Sequence, residues 1–175
     1  MHIVIEKGTK LDVDQLAKLY DDLNDFLACN INYPGWRKGV YPTRKDAANA
    51  VASGTLYVAK SAEEIVGSIV LNHIPEPAYN KVKWNVDADY ASVFVVHTFA
   101  VHPTYLKSGV GTSLMNFAIH HCTNEHAKAI RLDVYENNTP AIRLYEKYGF
   151  TYVNKVDLGL GKYGLNHFYL YEKAL

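Results

Sequence analysis

Between an apolar run ending Phe99-Ala100-Val101 and a helix-patterned stretch from Thr112 to Thr123 stands the segment Leu106-Lys107-Ser108-Gly109-Val110-Gly111. Glycines at alternate positions let the backbone approach a ligand without Cβ interference. A helix starting beside them offers N–H groups without intrahelical partners at the positive end of its dipole. Strand, glycine turn and helix in that order commit this part of the chain to an α/β unit with an anion cradle at the bend, which suits a pyrophosphate. The same residues exclude two other phosphate loops. A nucleotide-hydrolysing loop needs a lysine before its Ser or Thr, whereas Thr112-Ser113 follows Gly111 directly. A dinucleotide fingerprint needs a third glycine where Leu114 stands.

The rest of the chain alternates strand and helix patterns. Residues 3–6 alternate apolar and charged side chains as an opening strand does, and residues 13–28 repeat Leu16, Leu19, Leu23, Phe26 and Leu27 at helical spacing. Residues 30–42 hold Pro34, Gly35, Gly39 and Pro42, which break regular structure, together with exposed-looking Tyr33, Trp36 and Tyr41; they form a functional loop. Thr43 with Asp46 three residues on predicts a capped helix ending near Gly54. Residues 56–60 and 65–71 are a hairpin, and residues 72–91 a long loop with some strand at 82–84. Residues 93–101 are a buried strand, and the helix after the cradle puts Leu114, Phe117, Ala118 and His121 on one face. Residues 129–135 form another strand, Pro140 opens a short helix that Gly149 stops, and residues 150–156 and 167–172 close the sheet as an antiparallel pair. This order predicts an α/β fold with a mixed central sheet flanked by helices.

With 175 residues the chain fits one domain, 1–175, since domains usually run to roughly 100 to 200 residues. Its formal net charge is zero, so the electrostatic attraction of a nucleic-acid binder is missing and no nucleic-acid partner is expected. No apolar run reaches the ~18 residues of a membrane helix. Two widely separated cysteines, Cys29 and Cys122, and an N-terminus without a secretory pattern lead to the expectation of a cytoplasmic protein. His120 and His121 are about 100° apart on a helix and do not converge on one ion, so no metal is expected.

With His102-Pro103-Thr104-Tyr105 upstream of the cradle and Asn138-Thr139-Pro140-Ala141-Ile142-Arg143-Leu144-Tyr145-Glu146-Lys147-Tyr148-Gly149-Phe150 downstream, the chain resembles the GNAT superfamily of acetyl-CoA-dependent N-acetyltransferases. The resemblance is firmest from Val93 to Phe150 and implies the GNAT acyltransferase fold, with acetyl-CoA as co-substrate. The family pattern is Gln or Arg, two residues, Gly, one residue, then Gly or Ala. Gly109 and Gly111 match it, and Leu106 departs at the leading position, where Lys107 is the nearest cation. By this resemblance the loop with Lys107, Ser108 and Gly109, the N–H groups of Val110, Gly111 and Thr112, and the hydroxyl of Thr112 or Ser113 hold the pyrophosphate. The backbone of Phe99 and Val101 takes the pantetheine arm as an added strand. Asn138 falls where the family places an asparagine that bonds the cofactor, although Asn at a helix start is also an N-cap.

The resemblance also implies direct transfer, without a covalent enzyme intermediate. Tyr145 matches the tyrosine that protonates the departing thiolate; a phenol, with an ordinary pKa near ~10, carries its proton at neutral pH. An alkylamine must lose its proton before attack, and His97, which interrupts the apolar strand, aligns with a histidine that arylalkylamine acetyltransferases use as a base. Cys122 is expected to point inward and not to act as a nucleophile. A small-molecule primary amine is the expected acceptor, in a pocket walled by Tyr33, Trp36, Tyr41 and Trp84 with Tyr79 and Tyr90 nearby and Asp87 or Asp89 as the ammonium partner. The alternatives are a noncatalytic acyl-CoA-binding sensor and an enzyme acting on a protein or peptide amine; a homodimer is the assembly considered.

Overall fold

A computed structural model of the protein describes residues 2–175. Its strands are β1 (Val4–Lys7), β2 (Leu56–Ser61), β3 (Glu64–Asn72), β4 (Val93–Val101), β5 (Ala129–Tyr135), β6 (Thr151–Val156) and β7 (Phe168–Ala174). Its helices are α1 (Val13–Cys29), α2 (Arg44–Ala52), α3 (Val110–Asn124) and α4 (Thr139–Lys147). The seven strands form one mixed sheet in the order β1-β2-β3-β4-β5-β7-β6. β4 and β5 run parallel, as a strand–helix–strand crossover through α3 requires, while β1–β2, β2–β3, β5–β7 and β6–β7 are antiparallel. The chain divides into two compact units, one of residues up to Asn32, Trp36–Leu71 and His97–Ala118, the other of Tyr33–Gly35, Asn72–Val96 and Ile119–Leu175.

In the first unit α1 buries Leu16, Leu19, Tyr20, Leu23 and Leu27 against Ala47, Leu56, Val58, Ile65 and Ala100. The helical spacing places that face, but Tyr20 takes the inward position and Phe26 is exposed, because the apolar stripe continues from Leu16 and Leu19 through Tyr20 and Leu23. α2 starts as its sequence predicts: Thr43 accepts the Asp46 N–H, and the Asp46 carboxylate accepts the Thr43 N–H at 2.7 Å. Within β3, Gly67 lies under the start of α3. A Cβ there would sit 2.8 Å from Val110 Cγ1, 2.9 Å from the Ala100 carbonyl oxygen and 3.1 Å from Leu114 Cδ1. Only glycine permits that approach, so Gly67 sets how closely the first turn of α3 rests on the sheet.

In the second unit the segment between β3 and β4 has no strand at 82–84, contrary to the sequence reading. It has 3-10 turns at Pro77–Lys81 and Tyr90–Ser92, and Val82 and Trp84 pack as side chains over Tyr79, Val95 and Leu170. A buried ion pair fastens it. Arg131 on β5 donates from Nε to Glu172 Oε2 on β7 at 2.8 Å and from Nη2 to the Val86 carbonyl at 2.9 Å. Glu172 Oε1 accepts the N–H groups of Asn85 and Val86 at 2.9 and 3.0 Å. The backbone polar groups of 85–86 are thus satisfied by side chains rather than by a strand ladder.

Gly67→Ala is expected to destabilise the protein by about 1–3 kcal/mol, because the Ala100 carbonyl it meets is backbone and cannot swing away. Urea unfolding monitored by circular dichroism measures this, and an unchanged midpoint would contradict the tight approach of α3 to β3.

Candidate active site

In the first unit the site residues lie on β4, the turn after it and the start of α3. His97 is half-buried on β4, and the next residue, Thr98, has φ +41°. A β-branched residue rarely adopts that conformation, at a cost of about 1–2 kcal/mol, so the strand bends where the sequence suggests a plain extended run. The Thr98 hydroxyl pairs with the Tyr41 hydroxyl. Phe99 and Val101 continue the strand half-buried.

Beyond β4 the chain makes a 3-10 turn at Pro103–Tyr105, capped by His102, whose Nδ1 accepts the Thr104 N–H at 3.3 Å. That acceptor role puts the ring proton on Nε2, which donates to Asp22 Oδ2 on α1 at 3.2 Å. Lys18, then His102, hold the Asp22 carboxyl below its ordinary range. The Tyr105 hydroxyl donates to Glu64 Oε2 at 2.7 Å, and Ser108 Oγ to the Tyr105 carbonyl at 2.5 Å. The approach to the cradle is therefore tied down at both ends.

Lys107 and Gly109 have φ +63° and +90° on either side of Ser108. The Ser108 N–H between them donates to the Tyr105 carbonyl at 3.3 Å, so these two left-handed residues shape a tight turn and the donors facing an anion come from the start of the helix that follows. Gly109 has open space where a Cβ would stand, so its backbone conformation, rather than crowding, calls for glycine. α3 follows at once: Ser113 N–H donates to the Gly109 carbonyl at 2.9 Å, which places the N–H groups of Val110 and Gly111 ahead of the first helical bond. Val110 is buried, whereas Lys107, Ser108, Gly109 and Thr112 are exposed and Ser113 half-buried. Backbone donors, one lysine and a helix start, with no carboxylate in residues 106–113, fit a phosphate-bearing ligand. Leu106 is exposed at the head of the loop.

In the second unit Asn138 caps α4, its Oδ1 accepting the Ala141 N–H at 3.4 Å. Tyr145, on the inward face of α4, is 6% exposed and packs at 5.8 Å against the Phe150 ring. Burial, then the charge of Asp133, pushes its phenol well above the ordinary value, so it carries its proton throughout the neutral range. Asp133 itself accepts the hydroxyl of fully buried Tyr79 at 2.7 Å.

The aromatic residues named as acceptor walls, Tyr33, Trp36, Tyr41 and Trp84, are half-buried, not exposed. Trp36 meets the Tyr41 ring edge-on at 5.6 Å in the first unit. Tyr33 belongs to the second unit, as does Trp84, whose indole N–H donates to the Tyr79 carbonyl at 3.1 Å. The Arg131 guanidinium lies 4.4 Å from the Trp84 ring and 5.0 Å from the Tyr90 ring. With Val82, Asp87 and neighbouring residues these side chains line a cleft of about 520 Å³. Sequence reading missed Gly67, Thr98 and the capping role of His102. Glycine inside a β-patterned run and the His-Pro-Thr sequence were the available signals for the first and last; Thr98 has none, since nothing in Val96-His97-Thr98-Phe99 marks a bend.

Among the described residues no helix is long and apolar enough to cross a membrane. Residues 16–150 match the model of the acetyltransferase (GNAT) family. The chain is 30% identical over 149 residues to streptothricin acetyltransferase from Escherichia coli, covering 79% of this chain and 77% of that protein. It is also 41% identical over 73 residues to UPF0157 protein YqkA from Bacillus subtilis, but this match spans 42% of the chain and only 20% of YqkA. The fold is shared with a GNAT-family acetyltransferase from Streptococcus agalactiae, at a TM-score of 0.82 and 18% identity over 99% of this chain and 95% of that one. It is shared too with the PaiA N-acetyltransferase of Thermoplasma acidophilum, whose structure is a complex with coenzyme A, at a TM-score of 0.71 and 18% identity over the whole of both chains. The chain belongs to the GNAT acetyltransferase family, acyltransferases that draw the acetyl group from acetyl-CoA.

Neither cysteine has the setting of a nucleophile. Cys122 is buried on α3 and its thiol is pushed up to about 12 by burial, while Cys29 is exposed with no motif around it. Iodoacetamide at neutral pH is expected to label one thiol per native chain and two in denaturant, read by mass spectrometry; rapid native labelling of Cys122 would contradict its burial.

Proposed function

We propose that the protein transfers an acetyl group from acetyl-CoA to the primary amine of a small molecule by direct attack. The observation that carries this reading is the left-handed turn at Lys107–Gly109 leading straight into α3, because it sets an exposed lysine and the first N–H groups of the helix together where a pyrophosphate needs them. In this reading the cradle from Lys107 to Ser113 holds the pyrophosphate, the backbone of Phe99 and Val101 aligns the pantetheine arm, and Asn138 both caps α4 and hydrogen-bonds the arm. His97, or a water it orients, takes the amine proton, and a backbone N–H near Val101 steadies the developing oxyanion. Tyr145 returns a proton to the leaving sulfur. Its burial supports an acid that stays protonated until a thiolate forms beside it.

A small-molecule acceptor is supported by the streptothricin acetyltransferase likeness, which spans most of both chains and whose name gives streptothricin as the molecule acted on. Two unpaired cysteines support a reducing, cytoplasmic setting.

Calorimetric titration with acetyl-CoA tests the cradle. Gly109→Val forces a β-branched residue to positive φ or reshapes the loop, and is expected to weaken acetyl-CoA by about tenfold or more, the equivalent of about 1–2 kcal/mol of left-handed strain. Unaltered affinity would remove the 107–109 turn from the binding site. Tyr145→Phe is expected to lower turnover on the order of 10²-fold with acetyl-CoA affinity little changed. Wild-type turnover in that variant would take Tyr145 out of the mechanism.

A further inference from the structure

The loop between α1 and α2 holds one tyrosine unusually firmly. The Tyr41 N–H donates to the Arg37 carbonyl at 3.0 Å, and its own carbonyl accepts the Arg37 N–H at 3.3 Å. Asn24, buried on α1, donates to the carbonyls of Tyr41 and Pro42 at 3.4 Å each, and the Trp36 ring stands edge-on to the Tyr41 ring. Main chain and ring are thus both fixed, and what they present is a single hydroxyl, placed on the Thr98 side chain 57 residues away in sequence.

Thr98 is where such a contact matters. It combines a branched Cβ with φ +41°, and a residue in that conformation persists only where its surroundings over-determine it. Its parallel pairing with β5 gives no support there, since that register runs from Val93 to Val96 against Ala129–Leu132 and ends two residues earlier. A change of Thr98 to extended backbone would turn the peptide groups on both sides of it, those joining it to His97 and to Phe99.

We propose that Tyr41 is a positioning residue for acetyl transfer: its hydroxyl, bonded to Thr98, holds the bend in β4 and thereby fixes the directions of His97 and of the Phe99 backbone. This rests on the reading of β4 as the strand that carries the acyl chemistry. It gives Tyr41 a task distinct from that of an aromatic wall. It also makes the α1–α2 loop part of the catalytic strand's support, so that a change in the loop acts on turnover through the backbone of β4.

The test is Tyr41→Phe, read by NMR for the backbone conformation of Thr98 and by steady-state kinetics with acetyl-CoA. Thr98 is expected to relax to negative φ, and kcat to fall by about tenfold, the rate equivalent of roughly 1.4 kcal/mol of lost preorganisation, with KM for acetyl-CoA within about twofold of wild type. Adding Thr98→Gly to Tyr41→Phe should recover most of the lost kcat, because glycine enters positive φ without the steric cost that the hydroxyl bond offsets in Thr98. Thr98→Val, which keeps the branch and removes the bonding partner, should reproduce the loss and serves if Tyr41→Phe folds poorly. Thr98 remaining at positive φ in Tyr41→Phe would overturn the clamp, and relaxation with unchanged kcat would overturn its role in the reaction. Absence of transfer by the wild type on every amine would instead count against the proposed function, and the Thr98 conformation alone would still decide whether Tyr41 holds the bend.

Discussion

The close seating of α3 on the sheet at Gly67 is the constraint on which the first unit turns. Val110, Leu114 and the Ala100 carbonyl all crowd the space a side chain at Gly67 would fill, and Val110 is the first residue of the helix. The loop of residues 102–109 must therefore leave β4 and enter α3 within a short span. It does so through the His102 cap, the Tyr105–Glu64 bond and two left-handed residues. The tight turn at 107–109 is the shape a short chain takes when a strand end and a helix start are brought this close, and the left-handed Lys107 and Gly109 make it. The pyrophosphate binding proposed for this turn would then follow from packing as much as from the loop's own composition.

The second unit meets a different problem, fastening a long segment that has no strand of its own. The Arg131–Glu172 pair does this by turning two buried charges toward the backbone of 85–86 while Trp84 and Tyr90 lie close to the guanidinium. Such a pair contributes less through its own attraction than through the cost of leaving either partner alone in the interior, about 3–5 kcal/mol. Its value here is specificity of placement: Trp84 and Tyr79 occupy fixed positions, and Tyr79 in turn holds the Asp133 carboxylate whose charge reaches Tyr145.

Much of this was legible in the sequence wherever one local rule acts alone. Thr43 with Asp46 marked the start of α2, Asn138 and Pro140 that of α4, and Gly149, at φ +80°, its end. Gly109 announced the turn between β4 and α3, because left-handed backbone there selects glycine. The readings that differed involve competition between distant parts. Phe26 fits the apolar stripe of α1 by spacing, yet Tyr20 is the residue the core accepts. Residues 82–84 look like strand by composition, but the Val82 N–H closes a turn onto the Tyr79 carbonyl, and the N–H groups just beyond, those of Asn85 and Val86, go to Glu172. Thr98 carries no local mark of its bend, since its conformation is matched by a hydroxyl from another loop, and no pattern of neighbours encodes a partner 57 residues away.

The measurement that bears most directly on the whole account is release of free thiol from acetyl-CoA by the purified protein, followed over a panel of small primary amines and of peptides with free N-termini. The account predicts release that depends on a small amine and saturates with it, with the acetylated amine recovered as product. Acetyl-CoA binding without amine-dependent release on any member of the panel would contradict it and would mark the protein as a sensor that keeps the family's cradle without its chemistry.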